Sequence, residues 1–103
     1  MFIVANRVTV AEPFQEIFEQ RFRSRAGQID QQPGFVRMQV LKPVKPEMPY
    51  VVLTSWVNQQ AFDDWVGSDD FKRAHANPMP KEAFIGESAI EMHEVIVSAD
   101  ATS

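Results

Sequence analysis

Residues 61–78 read AFDDWVGSDDFKRAHANP, and this stretch predicts two short helices that meet at Gly67. Gly67 is suited to end the first helix, and Ser68 is suited to cap the start of the second. The two aspartates that follow Ser68 fall in the first turn, where the helix dipole favours negative charge. Pro78 disfavours helical geometry in the residue before it and therefore closes the segment.

Both helices of this segment place an unusual side chain on their apolar side. Trp65 shares a face with Phe62 in the first helix, and His75 follows Phe71 by one turn in the second. A core imidazole bonded to the backbone and a metal ligand both fit the position of His75. Trp65 by itself is most simply a core aromatic residue.

Residues 2–10 alternate strictly and predict a β-strand. Asn6 is the exception, because it shares a side of the strand with four apolar residues, namely Phe2, Val4, Val8 and Val10. A buried amide without a partner costs about 1–3 kcal/mol. Asn6 therefore either satisfies neighbouring backbone, as at a bulge, or points a hydrogen-bonding group into a cavity.

The remaining periodicities complete the fold. A helix is predicted from Pro13 toward Gln31, with Phe14, Ile17, Phe18 and Phe22 on its buried side. Three further strands are predicted at Phe35–Lys42, Tyr50–Val57 and Ala89–Val97. Val36, Met38 and Val40 share one side of the second strand. The order of the strands and helices predicts an α+β, ferredoxin-like βαββαβ domain over residues 1–98. Residues 99–103 are predicted to be a polar tail.

Two segments near the carboxyl end carry separate predictions. Residues 79–87 contain Pro80 and Gly86, so an irregular loop is expected there, with Phe84 and Ile85 able to cover a pocket. His93 falls in the last predicted strand and is interpreted as a surface histidine.

Both sides of the predicted strands are apolar, as in Val51, Val52 and Leu53. Two helices cover only one face of a four-stranded sheet. We therefore expect a second copy of the chain to cover the other face, giving a homodimer that closes a dimeric α/β barrel. Such an interface buries roughly 2,000 Å² or more.

Composition excludes several classes of function. The 103 residues contain no cysteine, which excludes thiolate catalysis and iron–sulfur clusters, and the net charge of -4 argues against nucleic acid as a partner. No apolar run is long enough to cross a membrane and the N-terminus does not resemble a signal peptide, so a cytoplasmic location is expected. Zinc is not favoured, because His75 lacks a second ligand at a suitable spacing.

Asn6, Trp65 and His75 together resemble the Asn–Trp–His set of the IsdG-type haem-degrading monooxygenases. These enzymes belong to the superfamily of antibiotic biosynthesis monooxygenases, which are dimeric ferredoxin-like domains. The resemblance covers nearly the whole chain up to Val97, with segments around Asn6, at 60–65 and at 68–75 that resemble the family's signature segments. Its specific part is the spacing of ten residues from Trp65 to His75.

The resemblance implies a haem-degrading monooxygenase in which haem is both cofactor and substrate and no flavin takes part. His75 is then the proximal iron ligand, Asn6 donates a hydrogen bond to dioxygen on the iron, and Trp65 distorts the porphyrin. Dioxygen and electrons from an external donor or reductase are consumed. Arg25 is expected to meet the haem propionates, with Arg21 and Lys72 as alternatives.

Two other functions fit the same residues. A cofactor-free monooxygenase of this superfamily, acting on a phenol or quinol, also uses an asparagine, a tryptophan and an apolar cavity. A haem-binding protein that carries or senses haem without degrading it is the second. A dimeric module with no ligand is the simplest interpretation.

Overall fold

The structure is a computed structural model that describes residues 1–102, with the side chains of all of these except residues 25–28. Its elements in chain order are β1 (Phe2–Val10), α1 (Gln15–Ile29), β2 (Phe35–Leu41), β3 (Tyr50–Trp56), α2 (Gln59–Val66), α3 (Asp69–Ala74) and β4 (Phe84–Glu94). Short 3₁₀ turns precede α1 and β4, at Glu12–Phe14 and Lys81–Ala83. The strands form one antiparallel sheet in the order β2-β3-β1-β4, which confirms the ferredoxin-like prediction.

The central strand β1 organises the core, because it pairs with β3 on one side and β4 on the other. Its alternation places Phe2, Val4, Val8 and Val10 on the face that the helices cover, and all four are buried. Phe2 and Val4 pack with residues of α1 and α2, whereas Val8 and Val10 pack around Phe18 of α1.

The junction between α2 and α3 forms as its capping residues predict. Oδ1 of Asn58 accepts a hydrogen bond from the Ala61 amide at 2.9 Å at the start of α2, and Oγ of Ser68 accepts one from the Phe71 amide at 3.1 Å at the start of α3. Gly67 lies between the helices with φ −85°, an ordinary right-handed conformation. The turn therefore depends on the Ser68 cap rather than on glycine's freedom to adopt positive φ.

Gly34 sets the position of α2 against the sheet. It has φ +79°, and a Cβ built on it would lie 2.5 Å from Cβ of Ala61, so only glycine permits this approach. Its carbonyl also accepts a hydrogen bond from the Val57 amide at 2.8 Å. The turn before β2 is thereby tied to the chain that enters α2.

The last strand differs from its prediction. It begins at Phe84 rather than Ala89 and ends at Glu94 rather than Val97, so residues 84–87 belong to the sheet and not to a covering loop. Gly86 gave the misleading signal: its φ of +70° serves an irregularity inside β4, where the register against β1 shifts between Arg7 and Thr9. Ile85, expected to cover a pocket, is exposed.

One further expectation about packing is wrong. Ile17 is exposed, because it lies at the rim of the groove between α1 and α3 rather than over the sheet. In β2 the predicted alternation agrees with burial, since Val36, Met38 and Val40 are all half-buried, although the register against β3 shifts between Phe35 and Arg37. Phe35 is the residue that packs on Trp56, with ring centroids 5.3 Å apart.

Other bounds agree closely with the sequence. The predicted start at Pro13 lies in the 3₁₀ turn Glu12–Phe14, and α1 follows from Gln15, runs through residue 27 and ends at Ile29, short of the predicted end at Gln31. β3 ends at Trp56. Within the described residues, no helix combines the length and the apolar character that crossing a membrane requires.

Candidate active site

A cavity of about 370 Å³ lies between the sheet and the helices and is called the main cavity here. Its volume is in the usual range for small-molecule sites. The walls come from α1, from all four strands and from the α2–α3 segment, and most of them are apolar. The lining residues are Val4, Asn6, Phe22, Ile29, Met38, Val52, Thr54, Phe62, Trp65, Val66, Phe71, His75, Ile90 and Met92. The three residues singled out from the sequence, Asn6, Trp65 and His75, are therefore brought to one cavity.

Asn6 is the polar group of the cavity floor. It lies in β1 between Val52 of β3 and Ile90 of β4, with which it pairs across the sheet. Its Oδ1 atom is buried and has no hydrogen-bond partner among the residues that the structure describes. The register of β1 runs unbroken through Asn6, so a local bulge does not explain the amide. The structure thus favours an amide aimed into a cavity.

His75 is held by the helix that ends beside it. It caps α3, and its ring stacks on Phe71 with centroids 4.1 Å apart and planes tilted by 30°. Nδ1 lies 2.8 Å from the carbonyl oxygen of Phe71. Since a carbonyl only accepts, Nδ1 carries the proton, and Nε2 keeps the lone pair that a metal ligand requires.

The environment of His75 corrects one part of the prediction. His75 lies just after α3 rather than within it, and the residue is exposed rather than part of the buried core. An exposed imidazole on a cavity wall is open to a ligand. A core histidine satisfied on all sides does not describe this arrangement.

Trp65 forms a rigid part of the wall. Its side chain is 6% exposed and belongs to the core cluster with Phe2 and Trp56. Its ring meets Phe71 nearly edge-on, with centroids 5.5 Å apart and an interplanar angle of 86°. Phe71 therefore touches both the tryptophan and the histidine, so α2 and α3 present the two side chains together.

A second cavity of about 250 Å³, the inner cavity, continues beyond the main one. The two cavities share Asn6, Phe22, Val52 and His75 as lining residues. Met79 and Phe84 line the inner cavity, so the segment after α3 does contribute to the pocket through Phe84 as expected.

The basic residues expected at the site have different positions. Arg21 lines the inner cavity, and its guanidinium donates a hydrogen bond to the carbonyl oxygen of Asn77, just beyond His75. Lys72 is exposed and lines neither cavity. The side chain of Arg25 lies outside the described residues, so its expected role is neither supported nor opposed. His93 is exposed and pairs with Ile3 across the sheet.

A larger and more open groove of about 810 Å³ lies outside, between α1 and α3. Arg73 lines it and is bound to Asp70 at 2.8 Å. None of Asn6, Trp65 and His75 lines this groove, so its size does not make it the better candidate. The apolar character of the main cavity decides between them.

Several residues that line the main cavity are not singled out by the sequence as part of a site. Met38 and Met92 line the main cavity from the two edge strands, and Ile90 lies across from Asn6. Each reads as an ordinary strand residue. Ile90 and Met92 alternate within the strand predicted at Ala89–Val97, and this alternation was the available signal that they share a side.

Residues 1–77 match the family described as antibiotic biosynthesis monooxygenase. A heme oxygenase (mycobilin-producing) of Mycobacterium tuberculosis is 36% identical over 78 residues, which cover 76% of this chain and 73% of the relative. A heme oxygenase (staphylobilin-producing) of Staphylococcus haemolyticus is 33% identical and covers 100% of this chain and 97% of its own length.

Solved structures give the same result for the fold. The heme-degrader MhuD from Mycobacterium tuberculosis, with two hemes bound in its active site, superposes with a TM-score of 0.79. It is 29% identical, and the match covers 97% of this chain and 100% of that chain. The similarity thus includes β4, which lies beyond the residues matched to the family.

Proposed function

The chain belongs to the antibiotic biosynthesis monooxygenase family, and from this premise we propose that it is a haem-degrading monooxygenase. Haem is both its cofactor and its substrate, and with dioxygen and external electrons it supplies the chemistry that opens the porphyrin and releases iron. The relatives named as heme oxygenases support this activity. The protein's own part is to bind, orient and shape the ring.

One observation carries the proposal. An apolar cavity contains a buried amide oxygen without a partner among the described residues, and the same cavity is lined by a histidine with a free Nε2. Haem requires an apolar slot, one axial nitrogen and a chosen polar group. The residues present therefore fit the group that the family implies.

His75 is proposed as the iron ligand. The hydrogen bond from Nδ1 to the Phe71 carbonyl fixes the tautomer and the ring plane, and the stacked Phe71 ring limits its rotation. Such a bond also makes the other nitrogen a stronger ligand. Because α3 is short and capped by Ser68, the histidine is carried on a defined backbone.

Asn6 is proposed to bind the oxygen that reacts. Its Nδ2 group is the donor to that oxygen, since dioxygen can only accept, and the surrounding strand residues are apolar. The buried Oδ1 can only accept and has no donor among the described residues, a cost in the free protein that is typical of an amide placed for a ligand. The central position of β1 holds the amide in place between two flanking strands.

Trp65 is proposed to press on the porphyrin. Its indole is buried and braced by Phe71, so it moves little when a flat ring enters the cavity. The apolar walls exclude water from the reacting edge. With haem bound, the fixed indole of Trp65 would press the ring out of plane, and the amide of Asn6 would hold the oxygen beside it.

Arg25 and Arg21 are proposed to meet the propionates, together or separately. Arg21 lines the inner cavity beside His75, which supports it directly. Its bond to the Asn77 carbonyl leaves further donors on the guanidinium for a carboxylate. Electrons are proposed to come from an external donor or reductase.

The uncovered face of the sheet is proposed to form a homodimer. Ile3 and Leu53 are half-buried and Ala5 is buried there, while Arg7 and Glu91 form an ion pair at 2.8 Å. This face lies opposite the cavities, so a second copy leaves their openings free. Light scattering at micromolar concentration should give twice the chain mass of 11.7 kDa, and a monomer would overturn the dimer.

Hemin titration tests the proposed function. The purified protein should give a Soret band that saturates near one haem per chain, and ascorbate with oxygen should then bleach it and form a linear tetrapyrrole. Catalase must be present, so that free peroxide does not bleach the haem. His75→Ala should abolish or greatly weaken the band.

His93→Ala is the matched control, because it removes the chain's other histidine from the opposite face of the sheet. It should keep the band. A full band in His75→Ala would refute the ligand assignment. No Soret shift in the unmodified protein would favour the cofactor-free oxygenase, and a band that survives reductant and oxygen would favour a haem carrier.

A further inference from the structure

The methionines of this chain differ in whether they line the main or inner cavity. Three of the five line them: Met38 and Met92 the main cavity and Met79 the inner one. Met48 lies in the β2–β3 connection, in a different depression. Met92 and Met48 have nearly equal exposure, 52% and 54%, so solvent alone does not distinguish them.

The thioethers of the cavity methionines share their walls with Asn6 and His75. Methionine sulfur is soft and readily oxidised by peroxide, and the product is polar where the side chain was apolar. A site that activates oxygen in an apolar cavity thus places its oxidant among oxidisable groups.

We propose that Met38, Met79 and Met92 are sites of turnover-driven oxidation to methionine sulfoxide, which limits the lifetime of the apolar cavity. This inference rests on the proposed haem-degrading function. The oxidant is hydrogen peroxide, formed within the cavity when electrons from the donor reduce dioxygen without ring opening, so that it reaches these side chains before catalase in solution can remove it.

The step balances within these reagents. A sulfur lone pair attacks one peroxide oxygen, the O–O bond breaks, and a proton moves to the departing oxygen, so that water leaves and an S=O group forms. Sulfur loses two electrons and peroxide gains them. The modification is reversible by methionine sulfoxide reductases.

Sulfoxide in the cavity has a physical consequence for binding. It places a strong acceptor against walls such as Ile90 and Phe62, which offer it no hydrogen bond. The cavity then becomes less suitable for a porphyrin. We expect hemin affinity to fall several-fold after oxidation, and less so in Met92→Leu, since leucine keeps the volume without the sulfur.

Peptide mass spectrometry tests the proposal with two treatments. Haem-loaded protein is turned over with ascorbate and oxygen in the presence of catalase, which removes free peroxide. The haem-free protein is separately treated with hydrogen peroxide. The sulfoxide fraction at each methionine is then measured.

The two treatments should rank the methionines differently by their sulfoxide fraction. Free peroxide should oxidise Met92 and Met48 alike, and half-buried Met38 and Met79 more slowly. Turnover should oxidise the three cavity methionines several-fold more than Met48. The same order under both treatments, with catalase present, would overturn the proposal.

The Soret band and the tetrapyrrole yield are recorded on the same samples. If both are present and Met48 is oxidised as much as the cavity methionines, this proposal fails while the proposed function stands. If no Soret band forms, the proposed function fails and the inference falls with it.

Discussion

Tyr50 and Asn6 each place a polar group under the helices of this protein, and the two groups differ in whether they have a partner. Tyr50 is 1% exposed, and its hydroxyl donates to Oε2 of Glu19 at 2.5 Å. Lys42 binds the same carboxylate oxygen at 3.0 Å. Asn6, on the neighbouring strand, keeps its buried Oδ1 without a partner among the described residues.

The difference distinguishes a polar group that stabilises the fold from one that is placed for a ligand. Tyr50 lies between Phe18, with centroids 4.9 Å apart, and an ion pair that satisfies its hydroxyl, so its burial stabilises the fold. Asn6 faces a cavity and its desolvation is not compensated. A group that costs stability in the free protein gains its partner from what binds there.

Asn6→Leu should give the largest effect, and it tests whether the unpaired amide serves a ligand at the expense of stability. Leucine has the same branched arrangement of side-chain heavy atoms and no amide, and the cavity has room for its methyl groups, so the free energy of unfolding should rise by about 1–2 kcal/mol while haem degradation stops. Urea unfolding and tetrapyrrole formation measure the two. A less stable variant would mean that the amide has a partner in the free protein.

Tyr50→Phe should change stability in the opposite direction. It removes the hydroxyl that Glu19 accepts from and should lower the free energy of unfolding by about 2 kcal/mol, because the bond is to a charged group. The hemin titration should be unchanged. Loss of haem binding would place Tyr50 in the site rather than in the framework.

The stability of the protein at alkaline pH tests the structural role of Tyr50. Burial and the hydrogen bond to Glu19 raise the pKa of Tyr50 to about 12, from an ordinary value of 10.0. A raised pKa means that the stabilisation is complete below pH 10 and is lost as the pH rises toward 12. Tyr50 is the only tyrosine in the sequence, so tyrosinate absorbance reports it directly, and a midpoint near 10 in the folded protein would contradict the burial.

The acid side has the opposite sign. The hydrogen bond from Tyr50, followed by that from Lys42, lowers the pKa of Glu19. Its contribution is present above the ordinary carboxyl pKa and is lost as the pH falls through the lowered value. Tyr50→Phe should flatten this part of the stability profile, as measured by urea unfolding at several pH values.

Lys42→Met should give the smallest effect. The Lys42 side chain is 64% exposed, so solvent screens its pairing with Glu19, and the loss should stay below about 1 kcal/mol. Thermal unfolding in low and high salt measures it. A loss as large as that of Tyr50→Phe would mean that the cation, and not the hydroxyl, satisfies the carboxylate.

Local rules predicted much of this molecule. The cap at Ser68, the alternation of β1 and the element order depend on neighbouring residues, and all are confirmed. Asn6 stood out because it broke a local pattern. The bounds of β4 and the bulge in β2 depend on the partner strand, which a pattern along one segment does not report.

The site could be predicted only in part for the same reason. Resemblance brought Asn6, Trp65 and His75 together, and the structure places all three on one cavity. The tautomer of His75, its stacking on Phe71 and the methionines of the walls follow from contacts between distant elements. No periodicity along the chain encodes them.

The pairing of β1 has a consequence for how the protein is made. β1 is synthesised before both of its partner strands, since Phe2 pairs with Trp56 of β3 and with Glu94 of β4. The central strand therefore completes its pairing only after β4 has been made, and contacts so distant in sequence form slowly. Since Ile90 and Met92 complete the main cavity, a nascent chain that lacks β4 has no finished cavity, and a ligand that needs all four strands can bind only after β4 has paired.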